Sequence, residues 1–102
     1  MKLTTQIDGN QATLFVDGLF QLDSVSEFRA AFDPLMANPA VQVIAVDLDR
    51  TRYIDSSALG VLLTSREATR KAGKSIVLGR VRGEVLNVVR VAHLDRLFEL
   101  RS

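Results

Sequence analysis

The chain contains no cysteine, no tryptophan, a single histidine (His93) and two prolines among its 102 residues. Without cysteine there is neither a disulfide framework nor a thiolate metal site, and one imidazole leaves zinc without a second nitrogen ligand. Charge of one sign is missing as well, because 13 basic residues against 12 acidic ones leave a formal net charge of +1. Proteins that follow phosphate backbones draw their affinity from a clear basic surplus. Here only Arg50, Arg52, Arg66, Arg70, Lys71 and Lys74 concentrate positive charge, with acidic residues among them, so direct nucleic-acid binding is not expected. No apolar run approaches the roughly 20 residues of a spanning helix, which argues against membrane insertion. The stretch Met1-Lys2-Leu3-Thr4-Thr5-Gln6 turns polar at once, unlike a secretory leader. These absences point to a cytoplasmic protein with neither metal nor other cofactor.

What is present is globular in character: 47% hydrophobic and 25% charged residues. A chain of this size supports one hydrophobic core, and the expectation is a single domain over residues 1–102. Leu3-Thr4-Thr5-Gln6-Ile7 alternates loosely, and Thr13-Leu14-Phe15-Val16 is rich in strand formers. Between them, Asp8-Gly9-Asn10 carries the residues of a hairpin turn. Gly18 reads as the end of the second strand. Ser24-Val25-Ser26-Glu27 has the spacing of a capping box, followed by Val25, Phe28, Phe32 and Leu35 at helical spacing. Pro34 and then Asn38-Pro39 are expected to stop that helix.

Val41 to Leu48 is apolar and β-branched, the pattern of a central strand covered on both faces. Residues from Ser57 to about Ala72 read as a second helix closed by Gly73, Ser75-Ile76-Val77-Leu78 as a buried strand, and Glu84 to Ala92 as a third helix. Val85, Val88, Val89 and Ala92 share its inner side, and Leu94, Leu97, Phe98 and Leu100 close the chain as a short strand or turn. The order β-β-α-β-α-β-α implies an α/β fold with a mixed, mostly parallel sheet packed by helices.

The most informative segment is Tyr53-Ile54-Asp55-Ser56-Ser57-Ala58-Leu59-Gly60-Val61-Leu62-Leu63. A β-type run meets an acidic residue and two hydroxyls, and a helix is expected to begin on the second. A serine there stands at the positive end of a helix dipole beside unpaired N–H groups, where a phosphate is tolerated by the fold yet changes the surface. The plain alternative is a helix N-cap worth about 1 kcal/mol, and a side chain can serve both purposes. At 100° per residue, Ala58, Val61, Leu62, Ser65, Ala68, Thr69 and Ala72 share the inner side of this helix, while Gly60, Thr64, Glu67 and Lys71 lie opposite. Leu59, Leu63, Arg66 and Arg70 form a row between the two, two leucines followed by two arginines, which suggests a docking surface.

Catalytic equipment is sparse. A serine nucleophile needs a base and oxyanion donors; His93 lies near a helix end, and Asp55-Ser56-Ser57-Ala58-Leu59 is not a G-x-S-x-G elbow. Asp47, Asp49 and Asp55 could in principle attract magnesium, but carboxylates so placed commonly serve as loop and cap residues. Gly79-Arg80-Val81-Arg82-Gly83 is basic and glycine-bounded but lacks the P-loop lysine-serine pair. The residues describe a switch, not an enzyme.

Residues Val46 to Leu63, centred on Asp55-Ser56-Ser57-Ala58-Leu59-Gly60, resemble the STAS domain of bacterial anti-sigma factor antagonists, whose motif runs D-S-[ST]-G-L-G into an apolar helix. The likeness extends to the paired N-terminal strands, Gly18 before the first helix, Gly73 after the second, and His93-Leu94-Asp95-Arg96-Leu97-Phe98 near the end. The resemblance implies partner switching. By that likeness Ser57, or Ser56 in its place, would be phosphorylated by an anti-sigma factor that is also a serine kinase. The unmodified form would bind that factor, and a PP2C-type phosphatase would restore it. The implied partner-binding residues are Asp55, which would orient the serine loop, with Ser56, Ala58, Leu59, Gly60, Leu63 and Arg66; Asp23 is the nearest match to the family's acidic residue after the second strand. Ala58 departs from the motif's common glycine and should stiffen the first turn. A second expectation within the same resemblance is a STAS subunit docked on the ATPase of a membrane lipid-transport complex.

Overall fold

A computed structural model describes every residue from Met1 to Ser102. Six strands and three α-helices alternate: β1 (Lys2–Asp8), β2 (Gln11–Phe20), α1 (Val25–Ala37), β3 (Val43–Asp47), β4 (Thr51–Ile54), α2 (Ser56–Lys71), β5 (Ser75–Gly79), α3 (Gly83–Val91) and β6 (Glu99–Arg101). Short 3₁₀ turns precede α1 (Leu22–Ser24) and follow α3 (Leu94–Arg96). The sheet runs β1-β2-β3-β5-β6, and β4 also pairs with β2. Only the β1–β2 hairpin is antiparallel; β2–β3, β2–β4, β3–β5 and β5–β6 are parallel. This is the expected mixed, mostly parallel α/β fold, with the Gly9 φ of +62° turning the hairpin. No helix is long and apolar enough to cross a membrane.

Alternation along β2 decides how the layers stack. Ala12, Leu14, Val16 and Phe20 point to one face and are buried, whereas Gln11, Thr13, Phe15 and Asp17 lie on the other and are only half-buried. Apolar residues from all three helices join the first set in one core cluster, among them Phe28, Phe32, Val61, Leu62, Val85 and Val89. Phe20, Phe28 and Phe32 stack in sequence with ring centroids 5.0 and 5.7 Å apart. The helices therefore cover one face of the sheet, not two as the run Val41–Leu48 suggested. Across the other face Arg101 donates from Nη1 to Gln11 Oε1 at 3.0 Å.

Several local expectations are corrected. Gly18 does not end β2: at φ +110° it sits where the pairing with β4 shifts register, and the strand continues to Phe20. Strand β4, absent from the predicted order, follows β3 after a tight turn, and both run parallel to β2 at successive stretches of it. Thr51 pins that turn by donating from Oγ1 to the Val16 carbonyl at 2.8 Å. Pro34 lies inside α1, which ends at Ala37 before Asn38-Pro39. The Ser24–Glu27 capping box does not form; the Ser24 hydroxyl instead donates to the Leu19 carbonyl at 3.0 Å, because the 3₁₀ turn rotates it toward β2. At the end of α2 the expected glycine stop is present. Gly73, at φ +71°, donates to the Arg70 carbonyl and Lys74 to that of Thr69, the two bonds of a Schellman motif.

Candidate functional site

Ile54 is buried and anchors the last residue of β4 in the core. The chain then leaves the sheet, with Asp55 N donating to the Phe20 carbonyl at 3.2 Å. Asp55 has extended backbone (φ −107°, ψ −178°) and is the N-cap of α2, its Oδ1 accepting from Ala58 N at 2.9 Å. Its second oxygen, Oδ2, accepts from Leu22 N at 3.1 Å. The helix thus begins at Ser56, one residue earlier than expected, and the cap is Asp55, not Ser57. The carboxylate wins because it reaches an N–H three residues ahead and the Leu22 N–H at once, which a serine hydroxyl cannot.

The capping duty taken by Asp55 leaves both serine hydroxyls free of it. Ser56 is exposed and Ser57 half-buried, both in the first turn of α2. Ala58 is fully buried beneath them, so the motif's small residue faces the core. Gly60 is half-buried, and a Cβ placed on it would have no atom within 4 Å, leaving open space on the helix's outer side. Asp23 is exposed in the 3₁₀ turn next to Leu22, brought to the start of α2 by the Asp55–Leu22 bond although 32 residues separate it from Asp55 in sequence.

The site residues divide between two flanks of α2. Ser57 and Thr64 are seven apart and so share a face, which looks toward α1, where Arg29 Nη2 donates to Thr64 Oγ1 at 3.2 Å. Leu59 looks the other way, into a shallow apolar groove that it shares with Val88, Val91 and Ala92 of α3 and its end, rimmed by Glu84 and Asn87. Leu63 stands on the outer ridge at 36% exposure. Arg66 belongs to the α3 flank and is engaged, donating from Nε to the Leu97 carbonyl at 2.8 Å. Two exposed side chains extend this surface beyond the residues the motif suggested: Leu22 at 68% and Val91 at 80% exposure. The spacing of α3 already sets Val91 apart, about 120° round the helix from Val85. Val88 and Ala92, expected on the inner side, are half-buried and exposed, and both line the groove with Leu59.

The other polar candidates are occupied structurally. Asp47 Oδ2 accepts from Arg80 Nε at 2.9 Å, and Asp49 Oδ1 from Arg82 Nε at 2.9 Å. The hydrogen bond and charge of Asp47 hold the Arg80 guanidinium above its ordinary range. The Gly79–Gly83 loop is thereby tied back onto the end of β3 by its own arginines.

Comparison with known proteins agrees with the fold. Residues 3–101 match the family model described as Mlab, STAS domain, and the chain belongs to the STAS domain family. The STAS-domain containing protein PA14_20770 of Pseudomonas aeruginosa (strain UCBPP-PA14) is 31% identical over 93 residues, 91% of this chain and 90% of the relative. Among solved structures, TM1081 of Thermotoga maritima superposes with a TM-score of 0.88 at 20% identity, over 98% of this chain and 86% of that one. The anti-sigma factor antagonist SpoIIAA in its unphosphorylated form gives 0.71 at 16% identity, over 94% of this chain and 97% of that one. Its phosphorylated form, described as a Bacillus cell fate determinant, gives 0.75 at 16% identity, over 99% and 92%.

Proposed function

We propose that this chain is an anti-sigma factor antagonist that binds an anti-sigma factor with serine-kinase activity and is released when Ser57 is phosphorylated. A PP2C-type phosphatase would reset it. It acts by binding, not by catalysis. The observation that carries this reading is the Asp55 cap: a carboxylate holds the start of α2, so Ser57 sits in a rigid first turn with a hydroxyl that the fold does not need. Modification there adds about −1.5 to −2 charge without removing the cap. Exposed Leu22 is held beside that turn by Asp55 and exposed Leu63 follows on the outer ridge, so a bound partner must desolvate the new dianion or meet it with its own charge. Either weakens docking by several kcal/mol, about the scale of an unpaired buried charge.

The test is incubation of the purified chain with candidate anti-sigma kinases and ATP, followed by peptide mapping and binding measurements. One phosphate on Ser57, loss of binding on its addition, and retained binding by Ser57→Ala support the switch. Equal affinity of the unmodified, phosphorylated and alanine forms refutes it.

A second reading, a STAS subunit permanently docked on a transport ATPase, draws on a separate observation. The groove of Leu59, Val88 and Val91 lies on the flank of α2 away from Ser57, so a partner seated there need not sense the serine. Copurification with an ATPase that survives Ser57→Asp favours this reading.

A further inference from the structure

We propose that Arg29 of α1 is the internal ligand for a phosphate on Ser57, turning from Thr64 to the phosphate and holding it over Gly60. The proposal rests on the reading of Ser57 as the modified residue and adds where the phosphate goes. Arg29 is exposed and enters no ion pair; its guanidinium donates to a neutral hydroxyl, Thr64 Oγ1, at 3.2 Å, which itself donates to the Val61 carbonyl at 3.0 Å. A hydrogen bond from guanidinium to a phosphate dianion is roughly twice as strong as one to a neutral acceptor. Thr64 therefore loses the competition once a phosphate comes within reach.

Reach follows from the helix geometry. Ser57 and Thr64 lie on the same face of α2, about 10 Å apart along its axis. Both α1 and α2 begin where parallel strands end, and the bond between Leu22 and Asp55 brings their starts together. Arg29 follows Val25, the first residue of α1, by four positions, about one turn of rise, whereas Ser57 and Thr64 lie one and eight positions into α2. The Arg29 backbone is thus level with a point between them, and its side chain can extend either way. The intervening residue on the outer side is Gly60, where open space takes the place of a side chain.

Neighbouring charges favour the same pairing. The Ala58 N–H is already taken by Asp55, whose carboxylate repels a phosphate two residues on, and exposed Asp23 adds to that repulsion. Arg52 of β4 instead lines a separate cleft with Asp23 and Glu27. A phosphate drawn toward Arg29 moves away from both carboxylates and lies across the α1–α2 groove, covering the ridge beside Leu63.

The experiment incorporates phosphoserine at position 57 during translation, so it needs no kinase and is independent of whether one modifies this chain. Phosphorus NMR then follows the second ionisation of the phosphate. Pairing with Arg29 lowers it, so Arg29→Gln should raise the midpoint by about 0.5 pH unit or more relative to the otherwise wild-type phosphoprotein. Thr64→Val removes the competing hydroxyl and should lower the midpoint further. Arg29→Gln deletes an exposed side chain and should leave the unmodified protein's melting temperature unchanged. A phosphate that titrates identically in all three backgrounds overturns the proposal.

Discussion

Asp55 and Leu22 lie 33 positions apart in sequence and are joined by a hydrogen bond of 3.1 Å from the Leu22 N–H to Asp55 Oδ2. The same carboxylate caps α2 through its other oxygen. One side chain thus fixes the turn that enters α1 against the turn that enters α2, and it sets the frame in which Ser57, Asp23 and Leu22 are presented together.

Removing that carboxylate should cost both stability and alignment. Asp55→Ala is expected to lower the unfolding free energy by about 1–2 kcal/mol through loss of the cap alone, with a further loss from the unpaired Leu22 N–H. Asp55→Asn, which keeps one acceptor oxygen, should cost less. Urea denaturation measures the stability, and protection of the Leu22 and Ala58 amides in hydrogen exchange measures the alignment. Unchanged protection at Leu22 in Asp55→Ala would show that the bond is not what orders the turn.

The two flanks of α2 predict different partner phenotypes. Ser57→Asp should weaken anti-sigma factor binding, while Ser57→Ala preserves it. Leu63→Lys, at the exposed ridge, is expected to cost binding about 1–2 kcal/mol with little change in melting temperature. Leu59→Ala should cost some stability as well, because Leu59 packs partly on the core. Calorimetric titration separates binding from folding effects.

Backbone conformation gives a third expectation. Arg80 adopts a left-handed φ of +49° while its guanidinium pairs with Asp47. Arg80→Gly and Arg80→Ala both lose that pair, yet glycine accepts the conformation without its Cβ penalty. The glycine variant should therefore melt at the higher temperature of the two. At Gly18, with φ +110°, Gly18→Ala should destabilise by about 1 kcal/mol or more. A melting temperature equal to wild type would show that the β2 bulge relaxes.

Core packing makes the fourth. Phe28 is fully buried between Phe20 and Phe32, and Phe28→Ala should cost about 3–5 kcal/mol. Chemical denaturation gives the value directly. A loss below about 1 kcal/mol would mean that the helix layer closes over the gap.

The residues alone marked the three helices, the strands β1, β2, β3 and β5, the glycine stop after α2, the hairpin at Gly9 and the serine-bearing turn, because each depends on periodicity or on conformational preferences of neighbouring residues. They also marked Leu59 and Leu63 as a row on α2. Tertiary structure alone decided which residue caps α2, since Asp55 wins by bonding to Leu22, a group no local pattern brings near. It also decided that Thr64, on the same face of α2 as Ser57, meets Arg29 while Leu59 shares a groove with Val91, because helix neighbours depend on how the strands order beneath them. Strand β4 likewise became a separate element only through its pairing with the far end of β2, a long-range hydrogen-bond pattern that a stretch of four residues does not encode.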